Sequence, residues 1–238
     1  MDKIILQISN LHAGYGSGDV LQNVNIEIRL GEIVATIGRN GVGKSTLMRT
    51  VMGLLPVRSG KIVYKGKEIT HQPSRWRARK GIGFVPQGRE IFPELSVAEN
   101  LLVGEQVGLY RSKRKLRYEL VYEYFPILKK RRNQRGGTLS GGQQQMLALG
   151  RALVGNPELL LLDEPSVGIQ PSIIQQIGKS LFKLNREEGL TIFLVEQNIA
   201  LIEAVAQRAY SIDKGRIVSE YNKKQIGNRE ALAKYLAM

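Results

Sequence analysis

Eight consecutive residues carry the first chemistry in this chain: Gly38-Arg39-Asn40-Gly41-Val42-Gly43-Lys44-Ser45, a G-x-x-x-x-G-K-S string. A polyphosphate needs many N–H donors converging on its oxygens, and glycines let the backbone curl closely enough to supply them. A helix beginning at the end of the string points its positive end at the same anion. Lys44 would reach the terminal phosphates, Ser45 would offer its hydroxyl to Mg²⁺, and Thr46 follows in the first helical turn. The alternative is an ordinary glycine turn, but an apolar run precedes the string and a helical pattern follows it, which is the context phosphate binding requires. A second candidate is Asp163-Glu164, which closes the run Leu159-Leu160-Leu161-Leu162. Asp163 would hold Mg²⁺ through water, and Glu164 would polarise an attacking water. Acids end many buried strands, so this pair takes its weight from the P-loop. The third is Leu139-Ser140-Gly141-Gly142-Gln143. Serine and two glycines at a helix start make either a second anion site or a plain N-cap.

These residues need elements to hold them. Ile33–Ile37, Ile82–Val85, Leu159–Leu162 and Thr191–Val195 are short apolar runs without alternation, which suits strands buried on both faces of a parallel sheet. The Leu159 strand is expected beside the P-loop strand. Ser45 to Leu55 reads as a helix closed by Pro56, and a second helix is expected from about Gly142 to Leu153. The first thirty residues and the stretch from Gly60 to Ile69 alternate, as an antiparallel edge with hairpins would. Residues 88–150 carry few strand-like runs and several helical ones, so a helical lobe inserted in the core is expected. The fold class is therefore α/β: a P-loop NTPase core with a mainly parallel sheet, an antiparallel β edge and an inserted helical subdomain.

Composition narrows the function classes. The chain has 238 residues and no cysteine, which excludes disulfides, thiolate catalysis and cysteine-held metal. Its first residues form no signal peptide, and no apolar run approaches the roughly 20 residues that span a bilayer. A cytoplasmic protein is expected. The net charge is +14, and ten Lys or Arg against two Glu fall between Tyr110 and Arg135. Leu116, Leu120 and Tyr124 recur there at helical spacing, so the segment reads as one surface helix with a basic face, solvated or near lipid headgroups. No nucleic-acid partner is expected.

Leu139-Ser140-Gly141-Gly142-Gln143, placed about twenty residues before an Asp-Glu strand end, resembles the signature of the ABC ATPase family, and the resemblance extends over nearly the whole chain. It implies a single ATPase domain over residues 4–238. Tyr15, in Ala13-Gly14-Tyr15-Gly16, matches the aromatic that stacks on adenine, with a core-packing tyrosine as the alternative. Gln87, after Val85-Pro86, matches the glutamine that touches Mg²⁺ and the attacking water, and it begins the loop that senses the membrane partner. Such ATPases resemble head-to-tail dimers in which one subunit gives the P-loop, Lys44, Asp163 and Glu164, and the other gives Ser140, Gly141, Gly142 and Gln143 to the γ-phosphate of ATP. Two positions depart from the family pattern. Gln197 stands where many relatives have a histidine, and an amide positions without titrating. Gln170 stands where many have an aspartate.

The implied activity is ATP hydrolysis coupled to transport through separate membrane-spanning permease subunits, at the cytoplasmic face of the inner membrane, with an extracytoplasmic substrate-binding protein acting indirectly. Val195-Glu196-Gln197-Asn198, Gly88-Arg89-Glu90-Ile91-Phe92 and Gly136-Gly137-Thr138 resemble the importer group for branched-chain amino acids and urea. Gly38-Arg39-Asn40-Gly41-Val42-Gly43-Lys44, Val85-Pro86-Gln87-Gly88-Arg89-Glu90 and Gly168-Ile169-Gln170-Pro171-Ser172-Ile173-Ile174 look closest to its urea branch. Urea or a short amide is the expected cargo, with branched-chain amino acids as the alternative. A heterodimer with a second ABC ATPase chain is expected, and a homodimer stays open. The alternative of another class is a non-transport ABC ATPase such as one for iron–sulfur assembly.

Overall fold

The computed structural model describes residues 3–106 and 114–228. Two sheets share the strands. The first is a four-stranded antiparallel sheet in the order β2-β1-β4-β5, formed by β1 (Ile4–Ala13), β2 (Leu21–Arg29), β4 (Val57–Tyr64) and β5 (Lys67–Glu68). The second has six strands in the order β10-β9-β3-β8-β7-β6. Its members are β3 (Ile33–Ile37), β6 (Ile82–Val85), β7 (Leu159–Asp163), β8 (Thr191–Glu196), β9 (Arg208–Asp213) and β10 (Arg216–Asn222). All its pairings are parallel except β9 with β10.

The apolar runs are buried on both faces, as their lack of alternation requires. Leu160 and Leu162 of β7, with Ile192 and Leu194 of β8, enter one core, while Leu159, Leu161, Phe193 and Val195 enter the other. The second core also takes in the antiparallel sheet and α1 (Lys44–Met52), whose Leu47, Met48 and Val51 are fully buried between the two sheets. The alternating N-terminal strands thus form a sheet of their own, not an edge of the main one, because their single apolar face packs over α1. The antiparallel edge of the main sheet is β10, which the sequence reading does not anticipate.

One expected neighbour is corrected. β7 does not lie beside β3, because β8 pairs with both. Parallel register still aligns the strand ends, with Ile37 opposite Glu196 and Val195 opposite Asp163. The P-loop and the two acids are therefore two strand spacings apart, roughly 10 Å.

Helix α1 stops at Met52, short of Leu55, because Gly53 turns left-handed at φ 76°. Its last carbonyls are taken by Arg77 of α2 (Ser74–Arg79), a guanidinium only 1 % exposed. Arg77 donates to Thr50 O at 3.0 Å, Val51 O at 2.7 Å, Gln72 O at 2.9 Å and Thr70 O at 2.9 Å.

Between β6 and β7 the described residues form helices and no strand beyond one isolated bridge of Ser96 with Arg135: α3 (Val97–Glu105), α4 (Arg114–Tyr124), α5 (Pro126–Lys130), a 3₁₀ turn at Gly136–Thr138, and α6 (Gly141–Val154). Their apolar side chains join the core on one face of the main sheet. The expected continuous basic helix from Tyr110 to Arg135 is broken, because Pro126 lacks the N–H to continue α4 and opens α5 instead. Residues 110–113 of that expectation lie outside the described residues. Arg117 does not belong to the basic outer face: it is buried and donates to Val154 O at 3.1 Å. The remaining helices are α7 (Pro171–Glu188), α8 (Ile199–Val205) and α9 (Lys223–Ile226).

Candidate functional site

The loop from β3 to α1 is shaped by its glycines. Gly43 sits at φ 110°, which an L side chain rarely adopts, and a Cβ on Gly38 would lie 2.7 Å from Ile212 O. Among the described residues, the backbone N–H groups of Gly41 to Thr46 donate to no protein acceptor. Some are the orphan donors of a helix start and the rest belong to the curled loop, so together they form an anion cradle. Lys44, 4 % exposed, folds back over it. Its ammonium donates to Gly38 O at 2.8 Å and Arg39 O at 2.7 Å, and pairs with Glu164 Oε1 at 2.9 Å. Three donors meet three acceptors.

The end of β7 meets this loop. Ser45 Oγ donates to Asp163 Oδ1 at 2.9 Å. Burial pushes the Asp163 carboxyl above its ordinary range and the neighbouring Glu164 charge adds to this, while the Ser45 hydrogen bond, Arg49 and the Gln87 backbone act against it. Glu164 follows with a left-handed backbone, φ 48°, and is 6 % exposed. Its N–H donates to Val195 O at 3.0 Å. Two amides hold its carboxylate: Gln87 Nε2 donates to Oε2 at 3.0 Å, and Gln197 Nε2 donates to Oε1 at 3.4 Å. Gln197 Nε2 also donates to Asn40 Oδ1 at 2.8 Å, tying the loop after β8 to the P-loop. Asn40, Lys44, Ser45, Gln87, Asp163, Glu164 and Gln197 thus converge from four chain segments on one cradle. The oxygen donors Ser45, Asp163 and Gln87 suit a hard cation.

Other expected residues stand apart. Ser140 caps α6: its Oγ accepts from Gln143 N at 3.4 Å, and Gln143 Oε1 accepts from Ser140 N at 3.2 Å. The plain-cap reading is therefore realised, and Ser140, Gly141, Gly142 and Gln143 make no hydrogen bond to the P-loop cluster among the described residues. An N-cap does not preclude an anion site, since the helix start keeps other donors. Tyr15 is 51 % exposed and likewise makes no described contact with the P-loop. Its loop is held by Arg58, which donates to Gly16 O at 2.5 Å, Ser17 O at 3.0 Å and Asp19 Oδ1 at 2.7 Å. Gln170 is the N-cap residue of α7 without a side-chain cap bond.

Two functional candidates escaped the sequence reading. Arg89, at φ 71°, donates to Gln144 Oε1 at 3.3 Å and to Val167 O at 3.3 Å, so it joins the loop after Gln87 to α6 and to the segment after Glu164. Glu196 is a buried acid at a strand end, the same signal that singled out Asp163. A groove of about 850 Å³ opens beside the Gln87 loop, lined by Leu54, Phe84, Phe92 and Val103 with Arg75 and Arg151.

A donor cradle opening a helix, a lysine folded over it and a hydroxyl–carboxylate pair at a nearby strand end define a P-loop nucleotide-binding ATPase. The sequence model of the ABC transporter family matches residues 21–167. This chain belongs to the ABC transporter family, as an ATP-binding subunit whose hydrolysis of ATP is coupled to transport. It is 48 % identical over 216 residues to the high-affinity branched-chain amino acid transport ATP-binding protein BraG of Pseudomonas aeruginosa, covering 90 % of this chain and 91 % of that one. It is 37 % identical over 213 residues to the probable branched-chain amino acid transport ATP-binding protein LivF of Archaeoglobus fulgidus, covering 90 % of each. Among solved structures it resembles the dimeric post-hydrolysis state of the ATP-binding cassette MJ0796 bound to ADP and phosphate, with a TM-score of 0.82 and 28 % identity over 92 % of this chain and 99 % of that one. Cassettes of this family work as dimers with membrane permease subunits. No helix among the described residues is long and apolar enough to cross a membrane.

Proposed function

We propose that this chain powers an importer of branched-chain amino acids. The observation that carries this is the 48 % identity to BraG over nine-tenths of both chains. It favours the alternative over the urea cargo expected from the short motifs, which few residues distinguish.

In this reading Lys44 turns from Glu164 to the β- and γ-phosphates, which lie on the N–H groups of Gly38 to Thr46. Ser45, Asp163 and Gln87 would hold Mg²⁺, which would neutralise charge developing on the phosphates. Glu164 accepts the proton of the attacking water, while Gln87 and Gln197 fix its carboxylate and that water. Arg39, Asn40 and Val42 line the phosphates, and Tyr15 stacks on adenine. Ser140, Gly141, Gly142 and Gln143 complete the site of a second ATPase subunit, in a heterodimer by this reading. The groove beside Gln87 receives a segment of the permease at the cytoplasmic membrane face, and a binding protein outside delivers the cargo. Residues 88–150 act as a helical lobe within one domain.

The test is uptake of labelled leucine and labelled urea in cells whose only copy carries Glu164→Gln. Loss of leucine uptake with urea uptake intact is expected. Loss of urea uptake alone would return the chain to the urea branch.

A further inference from the structure

Glu196 ends a strand whose other five residues are buried and carry no charge. It is 1 % exposed, and no lysine or arginine pairs with it among the described residues. A buried carboxylate without a counter-ion is costly unless hydrogen bonds satisfy it. Three backbone N–H groups do so. Oε1 accepts from Gln197 at 2.7 Å and from Asn198 at 2.9 Å, and Oε2 accepts from Ser166 at 3.2 Å. Burial pushes the carboxyl up, and the N–H groups of Asn198 and Gln197 together with the hydroxyl and N–H of Ser166 pull it back toward the charged form.

The donors come from two different segments of the site. Gln197 is the amide that touches Asn40 and Glu164. Ser166 lies two residues past Glu164. The end of β8 therefore grips Glu164 from both sides: Val195 O takes the N–H of Glu164, and Glu196 takes the N–H of Ser166. Between these bonds Glu164 keeps φ 48°, a strained backbone that persists only where its surroundings over-determine it. An acceptor-only side chain with two oxygens can serve donors on two segments, whereas an amide at this position brings donors of its own.

We infer that Glu196 is a positioning residue for ATP hydrolysis, fixing the turn that carries Glu164 against the loop that carries Gln197. This rests on the reading of Glu164 as the base.

The discriminating variant is Glu196→Gln. Its amide oxygen can keep the N–H groups of Gln197 and Asn198, while its NH₂ faces the N–H of Ser166 and breaks that backbone bond, leaving Ser166 only a neutral contact through its hydroxyl. In the assembled transporter, kcat for ATP should fall roughly ten- to hundredfold with KM for ATP within about twofold. Backbone hydrogen exchange in the peptide around Ser166 should quicken about tenfold while Gln197 and Asn198 keep their protection. Glu196→Asp, which keeps the charge, should recover part of kcat. Unchanged kcat in Glu196→Gln would overturn the inference, as would a fall in kcat matched by an equal loss of folded protein. Glu164→Gln is measured alongside. Normal turnover in that variant would remove the base assignment, while the exchange and kcat readouts of Glu196→Gln would still decide whether Glu196 holds the turn.

Discussion

Replacing Glu164 by glutamine should tighten nucleotide binding as well as stop turnover, and the size of the effect follows from Lys44. The ammonium and the Glu164 carboxylate are 2.9 Å apart with side chains 3 % and 5 % exposed. At an effective dielectric of about 20 their direct attraction is roughly 6 kcal/mol. Desolvation of two buried ions offsets most of it, which leaves a net worth of about 1–3 kcal/mol. A triphosphate must take the ammonium from the carboxylate and then sit beside the carboxylate it has displaced. Both effects oppose binding in the wild type, and both weaken when the carboxylate becomes an amide. Glu164→Gln should therefore bind a non-hydrolysable ATP analogue roughly ten- to hundredfold more tightly. The measurement is a titration with a fluorescent analogue at fixed salt, with protein dilute enough to keep dimers out of the comparison. Lys44→Ala in each background completes a double-mutant cycle, and the gain should shrink to the part that comes from carboxylate–phosphate repulsion when the ammonium is absent. Equal or weaker affinity in Glu164→Gln, or a gain undiminished by Lys44→Ala, would refute the competition.

Three further outcomes follow from other residues. Arg77→Met removes the guanidinium from four carbonyls, of which Thr50 O keeps the Gly53 N–H, and should cost about 3 kcal/mol, a fall in Tm of roughly 6–12 °C by thermal circular dichroism; a fall under about 2 °C would show that the carbonyls find other partners. Gln197→His puts a titrating ring where the wild type has an amide, so the ratio of variant to wild-type kcat should change with an inflection near about pH 6.5, and a flat ratio would place the side chain outside the reacting centre. Asp19 is held below its ordinary carboxyl range, first by the His12 hydrogen bond and also by Arg58. A depressed acid contributes stability that is present above its unfolded pKa and lost as pH falls through the folded one. Asp19→Asn should thus weaken analogue binding about twofold at neutral pH through the Tyr15 loop, and its difference in thermal stability from the wild type should begin to close only below about pH 4.

Much of this site is written in local sequence. The G-x-x-x-x-G-K-S string specifies its own turn, because Gly43 alone can take φ 110° there and Lys44 follows within reach of the loop carbonyls. Short apolar runs such as Leu159–Leu162 and Ile33–Ile37 have no polar face to show water, so they must be covered on both sides, and this fixes the class of fold. The start of α6 is equally local, since Ser140 and Gln143 cap each other across three residues.

Tertiary structure decided the rest. Periodicity says that a strand is buried but not which strand lies beside it, so β8 between β3 and β7 could not be read from the chain. That order sets every long-range contact in the site, including Ser45 with Asp163 across 118 residues and Gln197 with Asn40 across 157. It also decided that the alternating N-terminal strands form their own sheet over α1, and that Arg117 turns inward. Glu196 shows the division most clearly. Its sequence announces only an acid after an apolar run, and its work depends on the N–H of Ser166 arriving from another strand end. Local sequence fixes what each segment can offer, while the packing of strands that are distant in the chain fixes which offers meet.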